Sequence, residues 1–147
     1  MKQTVNQNLL KSASDGDLQA VKAALEKGAD ITTHDEYNNT ALNVSASNGN
    51  LELIKFLVEK GSDINNLGGA AMSPLMQAAT AGHVDASQFL IDQGALVTND
   101  LIGAMNLKVS ILKENAEIGM VKPEAVAAWE AFTSYLLMYK EIQNQKK

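Results

Sequence analysis

The chain has 147 residues, a formal net charge of −5 and 46% apolar residues, a composition typical of a globular domain. It contains no cysteine, which excludes disulfides, thiolate metal sites and cysteine nucleophiles. The negative charge argues against a nucleic-acid partner, because neutralising phosphates requires clustered Lys and Arg. No apolar run reaches the ~18 residues of a membrane span, and the amino-terminal segment lacks the apolar core of a secretory signal. We therefore expect no membrane partner and a cytoplasmic location.

An internal repeat organises most of the chain. Two sets of glycines recur with a spacing of 33 residues. The first set is Gly16, Gly49 and Gly82. The second set is Gly28, Gly61 and Gly94, each of which follows the corresponding glycine of the first set. A period of this size indicates one folding unit that is copied several times.

Each copy is predicted to form two short helices joined by a turn, because apolar residues fall at helical spacing within it. In the second copy these residues are Leu51, Ile54, Leu57 and Val58, and in the third they are Val84, Phe89 and Leu90. The glycines follow the helix ends, where a left-handed residue closes the turn without a Cβ clash. We therefore expect structural glycines and a core that contains Leu57 and Leu90.

The first copy is predicted to cap the array. Its first helix, around residues 7 to 14, carries Gln7, Asn8 and Lys11 where the later helices are more apolar. A terminal unit needs one side that tolerates water. We expect residues 1–32 to form an N-terminal capping repeat, followed by internal repeats at 33–65 and 66–98.

Short motifs in these copies resemble the ankyrin-repeat family. The segments similar to the family's Thr-Pro-Leu-His, Gly-His and Gly-Ala-Asp-Val-Asn patterns are Thr40-Ala41-Leu42-Asn43, Ser73-Pro74-Leu75-Met76, Gly82-His83 and Gly61-Ser62-Asp63-Ile64-Asn65. The resemblance covers about residues 8–99. It implies an all-α ankyrin-repeat solenoid of stacked helix-turn-helix units, which we expect to form a single domain over residues 1–147.

The resemblance also makes two local predictions. Family members use the histidine of the Thr-Pro-Leu-His motif to tie neighbouring turns together, and Asn43 and Met76 replace it here, so we expect looser turns. The ring of His83, in the Gly-His motif, is expected to bond to the backbone of a neighbouring loop.

Residues 99–147 are predicted to form a divergent C-terminal repeat with a long last helix. The repeat register continues through Asn106 and Leu112 and predicts a helix at about residues 104–114. The next expected glycine is Ala127, and an insertion over residues 117–122 separates that helix from the next. Pro123 is suited to a first helical turn, so the last helix is expected to run from there to about residue 143.

Two sides of this last helix carry apolar residues. One stripe contains Ala125, Ala128, Trp129, Phe132, Tyr135, Leu136 and Tyr139, and the other side contains Val126, Ala127, Ala131, Leu137 and Met138. We expect the aromatic stripe to cover the core. A homodimer formed through the other side, or a partner docked there, is an open alternative.

The sequence indicates no catalytic, cofactor-binding or metal-binding residues. His34 lies beside Asp35 and Glu36, but metal sites need ligands that converge from more than one element, so a polar loop is favoured. The chain lacks a Gly-rich phosphate loop, a nucleophile elbow and a paired-histidine zinc motif. We therefore expect a protein that is not an enzyme.

The resemblance instead implies recognition of an unidentified protein partner through a concave surface of loop tips and first helices. The tips are Glu36, Tyr37 and Asn39, then Gly69, Ala70 and Met72, then Ile102, Gly103 and Met105. The helix positions behind them are Ser47 and Asn48, then Thr80 and Ala81, then Lys113 and Glu114. The residues predicted to bind the partner are Glu36, Tyr37, Asn39, Ser47, Asn48, Met72, Thr80, Met105 and Lys113.

Three of these residues are unusual for loop tips, which are normally polar. Tyr37, Met72 and Met105 favour an interface centre, and packing against adjacent turns is the alternative for the two methionines. Glu36 and Glu114 would favour a partner with some positive charge. The predicted function is a protein-binding module that acts as an inhibitor or regulatory subunit. The alternative is a structural homo-oligomer formed through the last helix.

Overall fold

A computed structural model describes residues 1–147 as an all-α protein with eight α-helices and no strand, which confirms the predicted fold class. The helices are α1 (Lys2–Asp15), α2 (Leu18–Glu26), α3 (Ala41–Asn48), α4 (Leu51–Glu59), α5 (Pro74–Thr80), α6 (Val84–Asp92), α7 (Asn99–Glu117) and α8 (Pro123–Gln145). A single turn of 3-10 helix lies at Gly69–Ala71.

The chain divides into two compact units, Met1–Ala95 and Leu96–Lys147. The first unit contains α1 to α6 as three helix pairs, in which α3 packs between α1 and α5, and α6 packs against α4 and α5. The second unit is a hairpin of α7 and α8. The single domain and the repeat boundaries after residues 32, 65 and 98 stay predictions.

Side-chain caps and glycines set the helix ends of the first unit. Thr40 and Asn43 form a reciprocal capping box at the start of α3, and the Ser73 hydroxyl accepts the Met76 N–H at the start of α5. The repeated glycines follow the helices with φ between 68° and 95°, as predicted. The helix ends of the first unit therefore recur with the same spacing as the glycines in the sequence.

The core of the first unit repeats with the same register. Leu57 in α4 and Leu90 in α6 are completely buried, which confirms their prediction as core residues. A second contact repeats on the surface of these helices. The Lys22 ammonium lies 5.4 Å from the ring centre of Phe56, and Lys55 lies 5.7 Å from that of Phe89. Stacking of successive copies thus uses equivalent residues each time.

Helix α7 differs from its prediction. It begins at Asn99 rather than near residue 104, and it continues to Glu117. The Thr98 hydroxyl caps it by accepting the Leu101 N–H at 3.2 Å, and no proline interrupts the residues that follow. A continuous helix therefore replaces the expected loop tip at residues 102–105.

Helix α8 begins at Pro123 as predicted, but the buried side is rotated from the expected stripe. Val126, which was assigned to the opposite side, is buried together with Phe132, Thr133 and Leu136. Ala125 and Ala128, which were assigned to the covered stripe, are exposed. Helix α8 packs against α7, and at the exposed edge of this contact Lys113 pairs with Glu130 at 2.7 Å and Lys108 lies over the ring of Trp129.

Replacing Ser62 by Ala is expected to stabilise the protein. The Ser62 hydroxyl is buried without a hydrogen-bond partner, and the equivalent residues of the neighbouring copies are Ala29 and Ala95. Because a buried unpaired polar group carries a desolvation cost, removing it should raise the free energy of unfolding by about 1 kcal/mol. Chemical denaturation measures this change.

The matched control is Ser45→Ala. The Ser45 hydroxyl is buried but donates to the Ala41 carbonyl at 2.7 Å, so this variant should lose stability or stay unchanged. A Ser62→Ala variant that is less stable than the wild type would contradict the assignment of Ser62 as an unpaired group.

Candidate functional site

The second-repeat turn (residues 35–39) is built around one carboxylate. Asp35 accepts the N–H groups of Tyr37 at 2.8 Å and Asn39 at 2.9 Å, and its other oxygen accepts the Asn39 side-chain amide at 3.1 Å. Asn38 supplies the positive φ of 66° that the turn needs. The turn therefore holds Glu36 and Tyr37 in fixed, exposed positions.

These bonds act on the pKa of Asp35. Partial burial opposes ionisation, but the hydrogen bonds from Asn39 and Tyr37, together with nearby His34, outweigh it and lower the pKa below its ordinary value. The carboxylate is therefore the form that the folded turn stabilises.

An amide network joins this turn to the third-repeat turn (residues 66–72). The Asn43 side chain donates to the carbonyl oxygens of Asn66 at 3.0 Å and Met72 at 3.4 Å, and accepts the Asn66 amide at 2.9 Å. The Asn66 amide also donates to the Asn38 carbonyl. The expectation of looser turns is thus wrong at Asn43, because its short amide, fully buried, spans the two turns in place of a histidine.

The third-repeat turn approaches the second so closely that it needs glycine. A Cβ at Gly68 would overlap the side chain of Asn39. The Gly69 N–H donates to the Asn39 side-chain oxygen at 2.9 Å, and the Gly68 N–H donates to the Met72 carbonyl at 3.0 Å. Two non-glycine residues, Ala70 and Ala71, have positive φ of 56° and 57°. Contacts with the neighbouring turn therefore outweigh the backbone preferences of these alanines.

Five of the predicted binding residues line one groove of the first unit. This central groove has a volume of about 510 Å³ and is lined by Ser14, Asn39, Val44, Ser47, Asn48, Gly69, Met72, Gln77, Thr80 and Ala81. Asn39 and Met72 come from the turns, and Ser47, Asn48 and Thr80 come from helices α3 and α5. Met72 is half-buried at its wall. None of the lining residues carries a charge.

Hydrogen bonds between repeats fix the helix ends beneath this groove. The His83 ring bonds through Nε2 to the Ser47 carbonyl at 3.0 Å, which confirms the predicted bond to neighbouring backbone. The ring packs where a Cβ of Gly49 would lie, so Gly49 is required for space as well as for its φ of 68°. The Asn48 amide donates to the Ser14 carbonyl at 3.3 Å.

Two exposed apolar side chains lie on the turns beside the groove. Tyr37 is 65% exposed and Leu67 is 55% exposed. Their turns are joined by the Asn38 amide, which donates to the Leu67 carbonyl at 2.7 Å. The sequence prediction missed Leu67, although it is a large apolar residue in an inter-repeat turn, the same signal that identified Tyr37.

The last two predicted binding residues, Met105 and Lys113, lie in the second unit. Met105 is completely buried inside α7, together with its neighbour Ile102, so its assignment to a loop tip is wrong. The error arises because α7 begins before these residues. Gly103 is exposed, but it lies within the helix. Lys113 is an exposed α7 residue paired with Glu130. Binding by these residues stays a prediction.

The structure contains no group of three or more His, Asp or Glu side chains placed to hold a metal ion. His34, the residue weighed in the sequence, contacts the Asp35 carbonyl at 3.1 Å through Nδ1 within its turn. None of the helices combines the length and the apolar composition that crossing a membrane requires.

A family model described as ankyrin repeats in three copies matches residues 9–101. The match runs from the middle of α1 through α6 to the start of α7. No curated protein matches the chain.

Replacing Asn43 by Ala should destabilise the first unit. The change removes the link between the turns and leaves the buried Thr40 hydroxyl without its acceptor, so a loss of about 1–3 kcal/mol is expected. Denaturation with urea measures it, with Gln88→Ala, an exposed amide of α6, as the control. A loss no larger than that of the control would show that the network contributes nothing.

Acid should weaken the second-repeat turn through Asp35. Because its pKa is lower in the folded state than in the unfolded state, its contribution to stability is present above the ordinary value of about 3.9 and is lost as the pH falls through the folded-state value. The free energy of unfolding of Asp35→Asn should therefore depend less on pH below about pH 4 than that of the wild type. Equal pH dependence of the two proteins would contradict this role for Asp35.

Proposed function

The chain belongs to the ankyrin-repeat family, and from this we propose that it binds a partner protein through the central groove and the two turns of its first unit. Ankyrin repeats are generally protein–protein interaction modules. The observation that carries the proposal is the groove itself, which gathers Asn39, Ser47, Asn48, Met72 and Thr80 beside the exposed turns.

The composition of this surface supports the proposal. Tyr37 and Leu67 are exposed on turns whose backbones are held by hydrogen bonds, so these turns lose little backbone freedom when a partner covers them. Tyrosine is among the residues that dominate binding energies at interface centres, and methionine adapts to irregular partners. Glu36 is exposed beside them and would affect the association rate more than the affinity.

The proposed role is non-enzymatic. A groove lined by hydroxyls, amides and apolar side chains offers no group with which to transfer protons or activate water. By covering a partner's surface, the protein would act as an inhibitor or regulatory subunit of that partner.

Replacing Tyr37 and Leu67 together by Ala should reduce partner capture by tenfold or more. Both side chains are largely exposed, so the fold should persist while the interface loses its apolar anchors. The measurement is affinity capture from native lysate, with the captured protein identified by mass spectrometry and then titrated as a pure protein. Circular dichroism verifies the fold.

Val84→Ala is the matched control, because Val84 is 40% exposed in the same unit and does not line the groove. Loss of capture by the double variant with retention by the control is the expected outcome. Unchanged capture by the double variant would overturn the proposed surface.

A second candidate function is self-association through α8. Leu137, Met138 and Ile142 are 42%, 49% and 38% exposed on this helix, which is a large apolar surface for one element. Light scattering of the pure protein separates the candidates. A dimer that Leu137→Ser with Met138→Ser converts to a monomer would support self-association, and a monomeric wild type would exclude it.

A further inference from the structure

We propose that the central groove holds an extended, uncharged segment of the partner and that Asn48 and Gln77 recognise the main chain of that segment. This inference rests on the proposed function and specifies what its surface binds. It follows from three properties of the groove: its free amide groups, their fixed orientation and its lack of charge.

Each of the two amides uses part of its hydrogen-bonding capacity inside the protein. Asn48 donates one N–H to the Ser14 carbonyl at 3.3 Å, and Gln77 donates one N–H to the Asn39 side-chain oxygen at 3.1 Å. No protein group donates to their side-chain oxygens. Since a side-chain amide has two N–H donors and a carbonyl acceptor, each residue retains one donor and its acceptor.

A retained N–H next to a retained carbonyl oxygen is complementary to the N–H and C=O of one residue in an extended chain, because these two groups point to the same side of the chain. The side-chain N–H can donate to that residue's carbonyl oxygen while the side-chain oxygen accepts its N–H. A helix does not offer this pair of groups, because it uses them in its own hydrogen bonds. Asn48 and Gln77 therefore favour an extended occupant.

The amides are also oriented before binding. Asn39, which holds Gln77, is itself held by the Asp35 carboxylate at 3.1 Å and by the Gly69 N–H at 2.9 Å. Asn48 is tied to the backbone of the adjacent helix α1. Groups fixed in this way lose little conformational entropy when a ligand binds, so their hydrogen bonds contribute more to affinity.

The lining of the groove sets the side chains that the segment can carry. No charged residue lines it, so a charge inside it would lose water without gaining a partner. Val44 and Met72 provide apolar wall, and Ser14, Ser47 and Thr80 provide hydroxyls. The segment should therefore have small apolar or uncharged polar side chains where it contacts the groove. A phosphate-bearing ligand does not fit, since no cation meets it there.

A selection of short random peptides displayed on phage tests the inference on the full chain. Enriched peptides should share an uncharged stretch, and their dissociation constants should change little between low and high salt. N-methylation of one peptide unit in that stretch should weaken binding about tenfold, because it removes a main-chain donor.

Two protein variants test whether the side-chain amides of Asn48 and Gln77 bind the selected peptide. Asn48→Ala and Gln77→Ala should each weaken the selected peptide about tenfold, while Val84→Ala should not. Asn48 is exposed and its internal bond is long, so Asn48→Ala should keep its fold even if Gln77→Ala disturbs the turns. Circular dichroism verifies each variant.

Several outcomes would overturn the inference. They are enrichment of charged peptides whose binding falls with salt, binding that tolerates N-methylation at every position, binding that neither variant weakens, and no enrichment at all. If capture of a whole partner still depends on Tyr37 and Leu67 in any of these cases, the proposed function stands and only the main-chain recognition fails. If capture does not depend on those residues, the proposed function fails independently.

Discussion

The first unit depends on a hydrogen-bonded link between two neighbouring turns, on which the large apolar side chains of Tyr37 and Leu67 are exposed. Asn43 is completely buried and spends its side chain on Thr40, Asn66 and the Met72 carbonyl. Buried amides of this kind are costly when unpaired and strong when fully paired. The link therefore fixes the spacing of the second-repeat and third-repeat turns, and with it the shape of the groove beside them.

A second side-chain amide, that of Asn39, connects these turns to the groove. Asn39 receives its position from Asp35 and passes it to Gln77 and to the Gly69 backbone. The surface available to a partner is therefore positioned by a hydrogen-bond network that contains no ion pair. Such a surface keeps its geometry at high salt, unlike one that is organised by exposed ion pairs.

Local and periodic features of the first unit could be predicted from the sequence. Helix ends follow from the glycines, the core follows from the spacing of Leu57 and Leu90, and the bond of His83 follows from family resemblance. The role of Asn43 could not be predicted, because its partner Asn66 is distant in the chain and becomes a neighbour only when the repeats stack. Nothing in the sequence indicated that an asparagine at position 43 would take the role of the family's histidine.

The second unit shows the limit of extending a register. The start of α8 at Pro123 was predictable because proline acts locally. The start of α7 was not, since the repeat placed a turn where Thr98 caps a continuous helix. Met105 was assigned to a tip on that register alone, and the helix buries it. A repeat period predicts structure only in the part of the chain where the residues that form the repeated turns are still present.

The backbone of the third-repeat turn carries conformational strain beside the groove wall. Ala70 and Ala71 both adopt left-handed conformations, each of which costs an alanine about 1–2 kcal/mol. The bond from the Gly69 N–H to the Asn39 side-chain oxygen helps to hold this conformation, and Met72, which lines the groove, directly follows the two alanines. A ligand that contacts Met72 would therefore meet a turn whose conformational cost is already offset by contacts within the protein, so binding would not have to supply it.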